Sequence, residues 1–385
     1  MRSEWQSVRA ADVIDFNPTL RLPKGSCAPK VAMEKLLPFT KRIEDFTMES
    51  YSGGAKFCNG DTIMARITPC LENGKTAFVD ILQDDEIGYG STEYIVLRAK
   101  AGITDPQFVY YLATSPDFRR VAIKSMVGSS GRQRVQQSVL DEMTVLLPPL
   151  PEQVEIGRYL SMLDDQIALN NRINDNFLQQ AMAIFNDRYD SADGQRPFTS
   201  LIHVLGGGTP KTGNPEFWNG DIPFFTPKDV GSPYTFHTEK TITSTGLEHC
   251  NSRLFPKNTS FVTARGTVGK VSLAGKPMAM NQSCYALASD SIDPILVYFY
   301  TLRAIDSLKH KASGAVFDAI VTRDFETEVI SVIPESESKA VLALIAPMLE
   351  AIHTNTEESI RLAALRDALL PRLMSGEIDV SNIAL

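Results

Sequence analysis

Along residues 150–190 the apolar positions recur at alternating steps of four and three: Ile156, Leu160, Leu163, Ile167, then Asn170 and Asn174, then Phe177, Ala181 and Ile184. This spacing keeps one stripe of a helix turned toward a partner helix, so it predicts the seam of a coiled coil. The run Leu147-Pro148-Pro149-Leu150-Pro151 stops the segment before it, and Glu152 puts negative charge in the first turn. The helix is expected to open there and to run to about Asp190. Adding about 185 to each seam position gives Val341, Ile345, Met348, Ile352, Asn355, Ser359, Leu362, Arg366 and Leu369. The stripe repeats, with an Asn at its middle and a second polar residue one step later. Two unrelated amphipathic helices with solvated acidic faces are the plainer reading, but matched polar breaks are unusual in a seam.

The long stretches before each helix also correspond, as β-branched and aromatic runs separated by Gly, Asn and Asp turns. Asp61-Thr-Ile-Met-Ala-Arg66 resembles Thr259-Ser-Phe-Val-Thr-Ala-Arg265, and Gly74-Lys75 resembles Gly269-Lys270. Asp105-Pro106 precedes Phe108-Val-Tyr-Tyr-Leu112 as Asp293-Pro294 precedes Leu296-Val-Tyr-Phe-Tyr300, and both aromatic stretches are expected to be helices packed on a sheet. The pattern predicts an α+β chain built as a twofold internal repeat: mixed domain 1–149, long helix 150–195, mixed domain 196–334 and long helix 335–385. No low-complexity linker divides the units, so the helices themselves are expected to connect them.

The chain has 385 residues and 43% apolar content, enough for two or three packed cores. No apolar run approaches the roughly 18 residues that span a bilayer, and Met1-Arg2-Ser3-Glu4-Trp5 opens no secretory leader, so a cytoplasmic location is expected. The cysteines Cys27, Cys58, Cys70, Cys250 and Cys284 are odd in number with no C-x-x-C, which argues against a disulfide framework and a zinc site. The net charge of −8 sits mainly in the helical segments. Residues 1–149 hold 18 basic and 18 acidic side chains, 150–195 hold 3 and 8, 196–334 hold 13 and 12, and 335–385 hold 4 and 8. Neutral mixed domains can still turn a local basic face to DNA, with help from a partner.

Catalytic constellations are largely absent. Arg265-Gly-Thr-Val-Gly-Lys270 falls short of a phosphate loop, because Ala264 stands where its first Gly is needed and Val271 where its hydroxyl is needed. No G-x-G-x-x-G follows a strand, and no Asn-Pro-Pro-aromatic stretch of the amino-methyltransferase kind occurs. The histidines His203, His237, His249, His310 and His353 lack metal-ligand spacing. What remains are loops suited to phosphates and base edges: Gly206-Gly207-Gly208-Thr209-Pro210-Lys211-Thr212, then Trp218, then Asp221-Ile-Pro-Phe-Phe-Thr226-Pro227-Lys228-Asp229. In the first domain Arg119, Arg120, Lys124, Arg132 and Arg134 lie within 16 residues that hold no acid, around Gly128-Ser129-Ser130-Gly131. The candidate DNA-binding residues are Arg66, Lys75, Arg132, Arg134, Thr209, Lys211, Thr226, Lys228, Arg265 and Lys270; a merely solvated surface is the bland alternative for each.

Four motifs in order carry a resemblance to type I restriction-modification specificity subunits. They are Gly207-Gly208-Thr209-Pro210 through Trp218 to Thr226-Pro227-Lys228-Asp229, Leu147-Pro148-Pro149-Leu150-Pro151-Glu152-Gln153, Leu163-Asp164-Asp165-Gln166-Ile167 with Asn170, and Leu369-Leu370-Pro371-Arg372-Leu373-Met374-Ser375-Gly376-Glu377-Ile378. The resemblance implies two target recognition domains joined by two long helices that pair as an antiparallel coiled coil in a pseudo-twofold arrangement. Each domain would read one half of a bipartite site in double-stranded DNA, and the helices would set the spacer. It implies two methylation subunits as partners, and restriction subunits that translocate DNA. S-adenosylmethionine, ATP and magnesium would act through those partners, with no cofactor, metal or catalytic residue in this chain. The first domain departs from the pattern, with Asp15-Phe-Asn-Pro-Thr19 and Lys24-Gly25 in place of Gly-Gly-Thr-Pro, and the second helix begins at Ile333-Pro334-Glu335-Ser336-Glu337-Ser338.

A helix pair in full register would bring Asn170 and Asn355 together as mutual amide partners, which penalises slipped registers. The 28 residues from Ile156 to Ile184 would cover about 42 Å at about 1.5 Å each, against roughly 34 Å for one turn of DNA. Competing readings are a nuclease or methyltransferase acting alone, and an interaction scaffold that does not read DNA. Binding of S-adenosylmethionine or Mg²⁺-dependent cutting by the pure chain would favour the first, and loss of salt-dependent, sequence-selective DNA binding the second.

Overall fold

The helix expected after the proline run spans Leu150–Asp190, and its repeat spans Glu335–Met374. Both belong to a computed structural model that describes residues 5–231, 233–311 and 318–382; the residues 1–4 behind the leader expectation lie outside them. The chain divides into two compact units, Met1–Leu169 with Ser359–Leu385, and Asn170–Glu358. The sequence reading set the helices apart as segments of their own. In the fold each helix is shared instead, because each of its halves packs onto a different mixed domain.

In the first unit a two-stranded antiparallel ribbon, Gln6–Arg9 with Thr144–Leu147, closes the mixed domain at its base. Beyond it lies an antiparallel sheet in the order Ile14–Phe16, Tyr94–Ala99, Thr62–Ala65, Thr76–Phe78. All four residues of Thr62–Ala65 are buried, so polar and apolar residues do not alternate along it. Met64, Ile95 and Leu97 join a core with Phe108 and Leu112 of the helix Pro106–Thr114 and with Ile156, Leu160, Leu370 and Leu373 of the long helices. Ile63 and Val96 join a second core against Val31 and Phe57. These belong to a smaller sheet in the order Thr47–Ser50, Cys27–Val31, Gly88–Gly90, Lys56–Phe57. Only glycine fits at Gly90, where a Cβ would lie 2.4 Å from the Val31 carbonyl oxygen.

The second unit repeats this plan. The ribbon is Gln195–Pro197 with Val329–Ser331, and the main sheet runs His203–Gly206, Cys284–Ala288, Ser260–Thr263, Val271–Ala274, with Tyr234–Thr235 added in parallel. Both expected aromatic helices are present and begin alike. Asp105 Oδ1 accepts from the Phe108 amide at 2.9 Å, and Asp293 Oδ1 accepts from the Ile295 amide at 2.9 Å, each followed by a proline in the first turn. The second of these helices, Pro294–Lys311, stacks Phe299 on Phe185 of the first long helix at 5.2 Å between ring centroids.

Within each unit the two long-helix segments run antiparallel. In the first, Arg366 Nη1 donates to Asp164 Oδ1 at 2.5 Å, and Tyr111 OH donates to Asp164 Oδ2 at 2.5 Å. In the second, Asn355 Nδ2 donates to Asn174 Oδ1 at 3.0 Å and Asn174 Nδ2 donates to Thr356 Oγ1 at 3.3 Å. Asn170 Nδ2 donates to the Asn355 carbonyl oxygen at 3.4 Å and to Glu358 Oε2 at 2.9 Å. The expected pairing of the Asn170 and Asn355 amides is therefore corrected: the Asn355 amide turns to Asn174, one turn further along the first helix. The second helix is offset by the length of a turn, so Asn174, 8% exposed, shares the polar layer with Asn170, 2% exposed.

Candidate nucleic-acid interface

Turns around the main sheet of the second unit surround a cleft of about 370 Å³, lined by Thr226, Lys228, Lys240, Arg265, Asn281 and Ser283 among others. The Thr226 turn is tied to itself. Asp229 Oδ2 accepts from the Thr226 amide at 2.8 Å and from its hydroxyl at 2.6 Å, which leaves Lys228 projecting, 3.5 Å from Glu239. Lys240 Nζ lies 5.6 Å from the Trp218 ring centroid, and Trp218 Nε1 donates to the Lys211 carbonyl oxygen at 3.3 Å, so one indole braces both basic turns. Thr209 donates its hydroxyl to Gln282, beside Asn281 and Ser283. Thr209, Lys211, Lys228 and Arg265 are exposed and Thr226 is half-buried.

The glycines of this loop lie against neighbouring backbone. A Cβ on Gly207 would lie 2.2 Å from the Asn281 carbonyl oxygen, and one on Gly208 would lie 2.6 Å from the Asn251 amide nitrogen. Both let the chain pack closely on itself. Arg265–Lys270 forms the turn between the strands Ser260–Thr263 and Val271–Ala274, with no helix following, in keeping with the missing phosphate loop. Lys270 falls outside the cleft, in a groove with Met182, Phe299, Arg303 and Lys309.

In the first unit two of the five cations of the basic patch, Arg120 and Arg134, are paired with acids from outside it. Arg134 grips Glu93 through Nε at 2.9 Å and Nη2 at 2.6 Å, and hydrogen bonding to Arg134 holds the Glu93 carboxyl below its ordinary pKa. Arg120 pairs with Asp117 at 2.6 Å, and Arg119 stacks on Phe39 at 4.8 Å while donating to the Leu71 and Glu72 carbonyl oxygens. Lys75 Nζ donates to the Met33 carbonyl oxygen at 2.9 Å, and half-buried Arg66 reaches the Val135 carbonyl oxygen at 3.4 Å. Among the described residues neither Lys124 nor Arg132 forms an ion pair, and both are exposed. Arg132 sits in a turn whose Gly128 and Gly131 have φ of 136° and 78°.

Backbone pairing shows that Arg66 and Arg265 are not counterparts. The Val135 amide donates to the Arg66 carbonyl oxygen as the Ile320 amide donates to that of Ala264, and Ile67 bridges Arg134 as Arg265 bridges Ala319. The match is thus one residue out, and one step along an extended chain turns a side chain to the opposite face. Lys75 and Lys270 do correspond, since their carbonyl oxygens accept from the Ala65 and Thr263 amides. The sequence reading missed Lys240, Asn281 and Ser283, which carry no motif; their position beside strands that return to the cleft was the only available signal.

A family model described as type I restriction modification DNA specificity domain matches this chain twice, over residues 2–177 and 196–362. The chain belongs to that family. As a specificity subunit it resembles the Type I restriction enzyme HindI specificity subunit of Haemophilus influenzae, at 23% identity over 403 residues covering 83% of this chain and 86% of the relative. It also resembles the Type I restriction enzyme MjaIX specificity subunit of Methanocaldococcus jannaschii, at 31% identity over 148 residues covering 37% of this chain and 34% of the relative. The crystal structure of the type I restriction-modification system S subunit from M. genitalium shares its fold, with a TM-score of 0.62 at 12% identity and 96% of each chain covered. Each specificity-domain match contains one mixed domain and the first part of the long helix that follows it. Among the described residues of this specificity subunit no helix is long and apolar enough to cross a membrane.

Proposed function

We propose that this specificity subunit reads a bipartite site in double-stranded DNA, each mixed domain taking one half-site, while the paired helices set the spacer and dock two methylation subunits. Segments 1–149 and 196–334 act as target recognition domains, and 150–195 and 335–385 as the helical frame. The observation that carries this reading is the twofold repeat of a specificity domain, in which the second copy gathers Thr226, Lys228 and Arg265 around one cleft. Lys and Thr fit phosphate oxygens, and an exposed Arg fits the O6 and N7 edge of guanine. Thr209 and Lys211 extend that surface, and in the first domain the exposed Arg132 is the candidate contact. Arg66, Lys75 and Arg134 hold internal partners in this structure and Lys270 faces another groove, so they serve the fold or contact DNA only after rearrangement.

The subunit supplies recognition rather than chemistry. S-adenosylmethionine, ATP and magnesium belong to the methylation and restriction partners, in the cytoplasm. Binding of the subunit to DNA should be measured together with methylation subunits at several salt concentrations. Sequence-selective affinity that falls steeply with salt is expected. Methyl transfer or Mg²⁺-dependent cutting by the pure chain would contradict the assignment.

A further inference from the structure

The two units are built to one plan, yet the first places the ion pair Asp164–Arg366 between its long helices where the second has apolar residues. Asp164 is 6% exposed, and the Arg366 side chain that donates to it at 2.5 Å is 13% exposed. Their counterparts in the repeat, found by adding about 185 to 164 and subtracting it from 366, are Leu349 and Ala181, both 0% exposed. The second unit's register, set by Asn174 against Asn355 and Thr356, makes Leu349 and Ala181 face each other as Asp164 and Arg366 do. A charge pair in one unit is thus replaced by two apolar residues in the other.

This asymmetry matters because a twofold repeat offers a competing assembly. The first long helix could pair with its own copy in a second chain, and the second long helix likewise, with the same antiparallel register and nearly the same seam. In a pair of first helices Asp164 would face Ala181, and in a pair of second helices Arg366 would face Leu349. Asp164 would keep the Tyr111 hydroxyl but lose its counter-ion, and Arg366 would keep only Asp367, 2.7 Å away and 65% exposed. Four largely buried charges per dimer would lose their counter-ion on the facing helix, together unfavourable by a factor on the order of a hundred or more. The native pair has no such defect.

We propose that the Asp164–Arg366 pair selects pairing of the two different helices over pairing of identical helices from two chains, keeping both specificity domains on one polypeptide. The pair then acts against a wrong partner, a second copy of this chain, more than it adds to stability. The seam residues around it would serve either assembly.

The test mixes two differently tagged full-length copies in denaturant, refolds them together and measures mixed dimers by native mass spectrometry, with circular dichroism to verify folding. Wild type is expected to return almost wholly as monomers. Asp164→Leu with Arg366→Ala gives this unit the seam of its repeat, and mixed dimers should rise at least about tenfold. The reversed pair, Asp164→Arg with Arg366→Asp, restores discrimination and should return to the wild-type level. Should the first variant not refold, Arg366→Met alone, which retains the aliphatic stem, is expected to raise mixed dimers in the same direction. Wild type forming mixed dimers as readily as the apolar variant would overturn the proposal, as would an apolar variant that folds and stays monomeric.

Discussion

Arg66 and Arg265 close similar strand motifs, yet one lies half-buried against the Val135 carbonyl oxygen and the other stands at a cleft. A run of residue types cannot reveal this, because a one-residue shift in alignment reverses the face. Likewise the 16 residues around Gly128 hold no acid, but Glu93 and Asp117 reach in from outside them. Local charge was legible in the sequence, and pairing across the fold was not. Lys228→Ala is therefore expected to weaken binding on all DNA sequences and to reduce the salt slope by about one. Arg265→Ala should cost about 1–3 kcal/mol and relax preference at one base pair, which competition binding across single-base variants would show. Glu93→Gln removes the charge that holds Arg134, and should steepen the salt dependence by about one phosphate contact. The sign of the pH effect follows from the lowered Glu93 pKa: its contribution to stability is complete above the unfolded value and is lost as pH falls through the lower folded value. Protection of the Val135 amide from exchange, taken relative to its intrinsic rate at each pH, should fall on that acidic side and stay constant at neutral pH.

At the scale of elements, the long helices were readable because a seam imposes a strict spacing, and the Asp-Pro starts because a side-chain cap followed by proline is a local device. The main-sheet strands were harder, since burial on both faces erases alternation along Thr62–Ala65. The polar layer of the helix pair was only half readable. Its Asn residues were visible, but their offset by one turn depends on how each mixed domain seats its helix halves. Asn170→Leu with Asn355→Leu leaves Asn174, already buried, without the Asn355 amide, and should lower stability by about 1–3 kcal/mol. Adding Asn174→Leu removes the stranded group and should recover most of that loss while loosening the register. Thermal melts of the double and triple variants decide this; a double variant more stable than wild type would show that the layer contributes no specific pairing.

For the whole molecule, the repeat was the feature most completely written in the sequence, because both copies must solve the same packing problem with the same element order. Loop geometry was least legible, since the run of glycines does not say that a Cβ at Gly207 or Gly208 would strike neighbouring backbone. If the helices set the spacer, inserting one heptad between Asn170 and Phe177 should change the preferred spacing and leave both half-sites unchanged. The account rests above all on the independence of the two mixed domains. The most direct measurement is methylome sequencing of cells that carry the partner methylation subunits and a chimera in which residues 196–334 come from a relative. The account predicts a new sequence in one half-site with the other half-site intact, whereas simultaneous change of both halves would contradict it.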